Sequence, residues 1–169
     1  MKGLFEQIKY IVNTLHEENI IHLDIKPENF VCNIDTMKVK IVDFANATFL
    51  GEDYSLNDLE KYCIGTTGYM SPETIFDRDR SKASDIWAAA VTLNVLHTGV
   101  TLSGMTEDIT HRMCFDENGT VICPEIFRSI YKNVLEWAGP YIVKNYSYDE
   151  DMVKLAKYFV KKEDRPETL

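Results

Sequence analysis

The stretch Ser84–Thr98 constrains this chain more than any other, because it has almost no polar face. Ile86, Trp87, Ala88, Ala89, Ala90, Val91, Leu93, Val95 and Leu96 follow one another with hardly a break. A helix that is apolar all round must be enclosed on every side, and Gly99 directly after it supplies a stop signal. Helices able to enclose it are present in the pattern. Met1–Glu18 carries Leu4, Phe5, Ile8, Ile11, Val12 and Leu15 at helical spacing, with Lys2, Glu6, Gln7, Lys9 and Asn13 on the other side. Glu125–Ala138 repeats the pattern with Ile126, Phe127, Ile130, Tyr131, Val134, Leu135 and Trp137, and Asp151–Val160 reads as a further short helix.

A chain of 169 residues can bury one good core, so a single domain or one large lobe of a bigger fold is expected. No apolar run approaches the roughly 20 residues needed to cross a bilayer. Charges at Lys2, Glu6 and Lys9 break any signal-peptide core, which makes cytosol or nucleus the expected location. Eighteen Lys and Arg against 27 Asp and Glu leave a formal charge of −9. That balance argues against nucleic acid as a partner and suits a binder of basic peptides. Cys32, Cys63, Cys114 and Cys123 form no C-x-x-C pair or zinc-ligand pattern, and are read as reduced structural thiols. The sequons at Asn46, Asn118 and Asn145 carry no weight in a protein that is not secreted. Asp116–Gly119 is a turn signal without the ligand spacing of a calcium loop.

Chemistry concentrates in Ile20–Val31. Within eight residues this stretch sets His22, Asp24, Lys26 and Asn29, and the apolar Ile20, Ile21, Phe30 and Val31 flank them as anchors. A carboxylate, an ammonium and an amide oxygen are a workable kit for moving a phosphoryl group. The Asp can orient or deprotonate a hydroxyl, the Lys can neutralise phosphate charge, and the Asn oxygen can bind a hard cation. Two β-rich runs follow, Phe30–Asn33 and Val39–Val42, joined by a hairpin-like turn over Ile34–Lys38. Asp43-Phe44-Ala45 comes at the end of the second run. Asn46–Gly68 has no sustained period and reads as an extended loop with a helical turn around Leu56–Cys63. Gly65-Thr-Thr-Gly-Tyr-Met-Ser-Pro-Glu73 closes it.

Taken in order, these stretches resemble the large C-terminal lobe of the protein kinase superfamily. His22-Leu-Asp24 with Asn29 is similar to the catalytic loop H-R-D-x-x-x-x-N, departing at Leu23. Asp43-Phe44-Ala45 resembles D-F-G with Ala for Gly, and Gly65–Glu73 resembles G-T-x-x-Y-x-A-P-E with Ser71 for Ala. Asp85-Ile-Trp-Ala-Ala-Ala is similar to the central helix of the family, and Asp164-Arg165-Pro166 to its closing D-x-x-R-P signal, shortened. The fold implied is mainly α with a small β hairpin, over one kinase-like domain spanning 1–169. Residues 1–33 would hold the first helix and catalytic loop, 34–73 the metal-binding and activation segment, and 84–169 the helical subdomain. Nothing upstream in this sequence could form the small lobe that kinases place over ATP.

The resemblance also implies roles and ligands. Asp24 would orient the substrate hydroxyl and Lys26 steady the γ-phosphate, with the Thr66 hydroxyl bonding both. Asn29 and Asp43 would hold Mg²⁺, and Val31 would touch the adenine of ATP from below. Phe44 would pack under the helix that controls the active state. Asp85 would cap the central helix and brace the catalytic-loop backbone, and Arg165 would pair with Glu73. Lys26 together with Thr66 points to the serine/threonine branch. Loss of the usual Arg at Leu23 implies activation without a phosphorylated activation segment. Two functions follow. One is a serine/threonine kinase acting on a protein or peptide hydroxyl. The other is a non-catalytic lobe, a pseudokinase, that binds a kinase or its substrate. In either case a small lobe or kinase partner would meet an exposed apolar face. The chain could also be a fragment or the second half of a split kinase, with its chemistry completed in trans.

Overall fold

A computed structural model describes residues 2–50, 65–66, 68–77, 79–99, 138–144, 146–147 and 149–169. Helix α1 (Lys2–Glu17) leads into the short strand β1 (Ile20–Ile21), and a 3-10 turn at Pro27–Asn29 leads into β2 (Phe30–Asn33). Strands β3 (Lys38–Ile41) and β4 (Thr48–Phe49) follow, then helices α2 (Pro72–Asp77) and α3 (Lys82–Thr98). Residues 138–144 are helical. Helix α4 (Glu150–Leu155) runs on into 3-10 turns at Ala156–Tyr158 and Lys162–Asp164.

Helix α3 is the buried axis that its composition demands. From Ser84 through Asn94 every residue is buried. Phe5, Ile8 and Val12 of α1 pack on one side of it, with Met152, Leu155, Tyr158 and Phe159 elsewhere around it. Trp87 meets Phe159 edge to face, with ring centroids 5.6 Å apart. Full burial of a side chain such as Ile86 or Leu93 contributes about 1.5–3 kcal/mol, so this one helix anchors much of the core. Gly99 ends it in the left-handed conformation at φ 73°, as the stop signal implies. The start differs from expectation. Ser81, not Asp85, stands at the N-cap in extended backbone, and its amide donates to the Ser84 hydroxyl at 3.2 Å. Asp85 lies one turn inside the helix, which frees its carboxylate for another task.

The two β pairings are small. β2 and β3 form an antiparallel hairpin with Phe30 opposite Ile41 and Asn33 opposite Lys38. The turn is one residue shorter than the sequence suggested. The Asn33 side chain holds it by accepting from the Thr36 amide at 2.8 Å, and Met37 takes a positive φ of 54°. Gln7 of α1 clamps the hairpin, donating to the Met37 carbonyl at 3.0 Å and accepting from the Val39 amide at 3.0 Å. The loop expected from Asn46 is interrupted, because Ile20 and Ile21 pair with Phe49 and Thr48. Two-residue strands have no periodicity, so only the tertiary pairing reveals them. The expected helical turn at Leu56–Cys63, the Asp116–Gly119 turn and all of Glu125–Ala138 except Ala138 lie outside the described residues. So do Cys63, Cys114 and Cys123; Cys32 is exposed and free.

Helix α2 went unread in the sequence, although its start carries a signal. Pro72 opens the helix and the Ser71 hydroxyl accepts from the Thr74 amide at 3.3 Å, the geometry that Ser at an N-cap and Pro at N1 favour. The helix carries Glu73 inward to Arg165, whose Nη1 and Nη2 both reach its carboxylate. Arg165 also donates to the carbonyls of Ala83 at 2.8 Å, Val160 at 2.9 Å and Tyr158 at 3.2 Å. Its guanidinium lies over the Trp87 ring. A buried pair so completely satisfied is stable as a pair and costly to break. Arg165→Met should lower stability by about 3–5 kcal/mol, read as the denaturant midpoint. Adding Glu73→Leu should recover much of that loss, because no charge then stays buried alone.

Candidate active site

The segment Ile21–Ile25 runs buried between α1 and α3, and its conformation is imposed by Asp85. One oxygen of that carboxylate accepts from the His22 amide at 2.7 Å, and the other from the Leu23 amide at 2.9 Å. Leu23 is held at φ 64°, a region that non-glycine residues seldom occupy. Two bonds to a buried carboxylate offset that cost. The turn reverses the chain so that Asp24 emerges toward the end of the activation-segment motif.

Four of the candidate residues converge there. The Thr66 hydroxyl donates to Asp24 Oδ1 at 2.7 Å, and Lys26 Nζ donates to the Thr66 hydroxyl at 2.8 Å. The same ammonium lies 2.8 Å from Asp24 Oδ2. Asn29 Nδ2 donates to the Asp24 carbonyl at 2.8 Å and reaches Asp24 Oδ2 at 3.3 Å. Burial raises the Asp24 pKa, but the Lys26 ammonium and the Thr66 and Asn29 donors together outweigh it. The carboxyl is held below its ordinary value of 3.8. Asp24 is therefore ionised at neutral pH, as a group that orients a hydroxyl must be.

Asp43 is brought near by a second set of bonds. The Val42 amide donates to the Asn29 carbonyl at 2.9 Å, and His22 Nε2 lies 3.2 Å from the Val42 carbonyl. A carbonyl can only accept, so Nε2 carries the proton. The bare Nδ1 accepts from the Asp24 amide at 3.3 Å. His22 thus ties the backbone of Asp24 to the residue before Asp43. Asp43 itself is exposed at φ 62°, and among the described residues its side chain accepts only from the Ala45 amide, at 3.4 Å. Phe44 is 47% exposed and stacks edge-on against His22 at 5.0 Å; among the described residues no helix covers its outer side. Val31 faces outward from the hairpin, also 47% exposed.

The model of the family described as "Protein kinase domain" matches residues 1–165. This chain belongs to the protein kinase family. It is 36% identical over 116 residues to the DNA damage response protein kinase DUN1 of Saccharomyces cerevisiae, covering 58% of this chain and 22% of the relative. Against serine/threonine-protein kinase dkf-2 of Caenorhabditis briggsae the identity is 29% over 137 residues, 79% of this chain and 11% of the relative. Human serine/threonine-protein kinase D2 is 31% identical over 114 residues, 66% of this chain and 12% of that protein. The chain thus matches only a minor part of these relatives' length.

Within the family frame, the donor set suits a hard cation. Asn29 uses its amide nitrogen on Asp24, leaving Oδ1 without a partner among the described residues, and Asp43 presents an exposed carboxylate. One amide oxygen and one carboxylate match Mg²⁺, which keeps waters and phosphate oxygens for its other positions. Two residues that the sequence reading gave no role matter to this candidate site. His22 is one. The other is Gly65, at φ 112°, where a Cβ would come within 2.7 Å of the Leu23 carbonyl. The close approach seats the Gly65–Thr66 backbone on the turn that carries Asp24. No described helix is long and apolar enough to cross a membrane.

Gly65→Ala should cost about 1–3 kcal/mol from the positive φ alone, and should loosen Thr66 from Asp24. Thermal unfolding and the amide exchange of Asp24 would register both effects. Asp24 also sets a pH dependence. Since its folded pKa is lowered, its contribution is complete above pH 3.8 and lost as pH falls through the lower folded value. Acid unfolding of Asp24→Asn should lack that component of the wild-type curve.

Proposed function

We propose that this chain is the catalytic large lobe of a serine/threonine protein kinase, transferring the ATP γ-phosphoryl group to a Ser or Thr hydroxyl of a protein. The single observation that supports it most is the closed triangle of Asp24, Lys26 and Thr66. An ionised carboxylate, held in place by a hydroxyl and an ammonium, is what a positioned acceptor for a substrate proton requires. In this reading Asp24 aligns the acceptor hydroxyl and takes its proton. Lys26 lies beside it to offset the charge of the phosphoryl in transit, and Thr66 links the two. Asn29 and Asp43 hold Mg²⁺, which neutralises phosphate charge when bound. Val31 forms the apolar floor under the adenine. Residues 1–33, 34–73 and 84–169 act as one lobe, and the small lobe that covers ATP comes from outside residues 1–169. The formal charge of −9 favours a basic peptide as substrate, and the protein works in the cytoplasm or nucleus.

Leu23 adds a point about regulation. It is buried where the family commonly carries an Arg, and its carbonyl meets the Gly65 backbone directly. This direct backbone contact supports a reading in which the end of the activation segment needs no phosphate to be seated. Transfer should persist unchanged after phosphatase treatment; a drop to background would refute this point.

A second reading, a non-catalytic pseudokinase lobe that binds and regulates a kinase or its substrate, draws support from the surface beside the hairpin. Val31, Val42 and Phe44, on or just after the hairpin, are exposed, as are Phe49 and Leu50 at β4, and exposed apolar side chains suit a protein partner. Calorimetric titration with MgATP and transfer to basic peptides, with a small lobe supplied in trans, separate the two. The catalytic reading expects saturable binding that is lost in Asp43→Asn. It also expects a kcat lowered about 10²–10⁴-fold in Asp24→Asn. No binding at millimolar ATP with the partner lobe present would leave the binding role.

A further inference from the structure

One buried ionisable side chain stands next to this machinery with no part in it so far. His16, in the last turn of α1, is 5% exposed. Its Nε2 lies 3.1 Å from Asp85 Oδ2, the same oxygen that accepts from the His22 amide. Its Nδ1 is buried with no hydrogen-bond partner among the described residues. A carboxylate can only accept, so the proton belongs on Nε2. A bare ring nitrogen facing the core is also far cheaper than an unpaired N–H donor there.

We infer that His16 is a positioning residue for Asp24, directing its Nε2–H at Asp85 and acting through that carboxylate on the backbone of the catalytic loop. Asp85 is 1% exposed. Its carboxylate must hold two amides, one of them on Leu23 at φ 64°. Two donors in sequence along one chain leave the carboxylate free to tilt. A third donor from α1 stops that tilt, and α1 is clamped independently by Gln7 to the hairpin that carries Asp43. The His16–Asp85 bond therefore sets Asp24 relative to Asp43 by linking α1, α3 and the loop. Nothing about His16 touches ATP or the acceptor hydroxyl, so its removal should change the alignment of the reacting groups rather than substrate affinity.

The catalytic consequence rests on the kinase reading; the structural coupling does not. The test compares wild type with His16→Gln, whose amide can still donate to Asp85, and His16→Phe, which cannot. Imidazole nitrogen NMR of the wild type should show His16 as the Nε2–H tautomer. In His16→Phe, amide exchange at His22 and Leu23 should speed up about tenfold, the worth of one buried hydrogen bond. Where transfer is measurable, kcat should fall about tenfold with peptide KM unchanged, and His16→Gln should restore most of both. A folded His16→Phe with wild-type exchange at both amides overturns the inference, as does an Nδ1–H tautomer. If His16→Phe does not fold, the tautomer and the exchange rates of His16→Gln decide. Wild-type protein inactive in every assay, with the exchange pattern as expected, would overturn the kinase reading and leave the coupling intact.

Discussion

The carboxylate of Asp85 is the interaction on which the site depends. It projects from the first turns of a helix that has no choice but to be buried, and both its oxygens are committed to the catalytic-loop backbone. A buried carboxylate is costly unless fully hydrogen-bonded, so the loop must supply donors, and the two adjacent amides of His22 and Leu23 are what it supplies. The cost of one residue becomes the constraint on another: Leu23 is forced into the left-handed region, and the chain turns there. Because α3 is enclosed on all sides, it cannot shift to relax this demand.

From that fixed turn the remaining geometry follows through short steps. Gly65 packs directly on the Leu23 carbonyl, which puts Thr66 within reach of Asp24 and Lys26. His22 passes the constraint in the other direction, through Val42 to Asp43. Beneath the activation-segment end, Arg165 joins Glu73 to three backbone carbonyls and the Trp87 ring. The helices thus hold a candidate site whose polar residues lie on loops and one 3-10 turn. Irregular backbone can present polar groups outward, while the helices keep the apolar surface inward.

Much of this was legible before the structure. Long periodic helices declare themselves, so α1 and α3 were read to within two residues of each end. The β2–β3 hairpin was read to within one residue. The contact of Arg165 with Glu73 and the grouping of Asp24, Lys26, Asn29 and Thr66 were expected from resemblance. What escaped was whatever depends on a distant partner. β1 and β4 are too short to have a period, α2 was hidden in a loop-like Gly and Pro pattern, and Asp85 was given the cap that Ser81 occupies.

The sequence by itself determined that a fully apolar helix must sit at the centre, that amphipathic helices must cover it, and that one polar loop carries the chemistry-bearing residues. Local composition suffices for these, because apolar burial and helical period act over neighbouring residues. Tertiary structure alone decided which carbonyls and amides the buried side chains of Asp85, His16, His22 and Arg165 would satisfy. It alone decided that Gly65 would need to be glycine. Those outcomes depend on distances between segments remote in sequence, and a buried polar atom selects its partner only once packing has brought the candidates within about 3 Å.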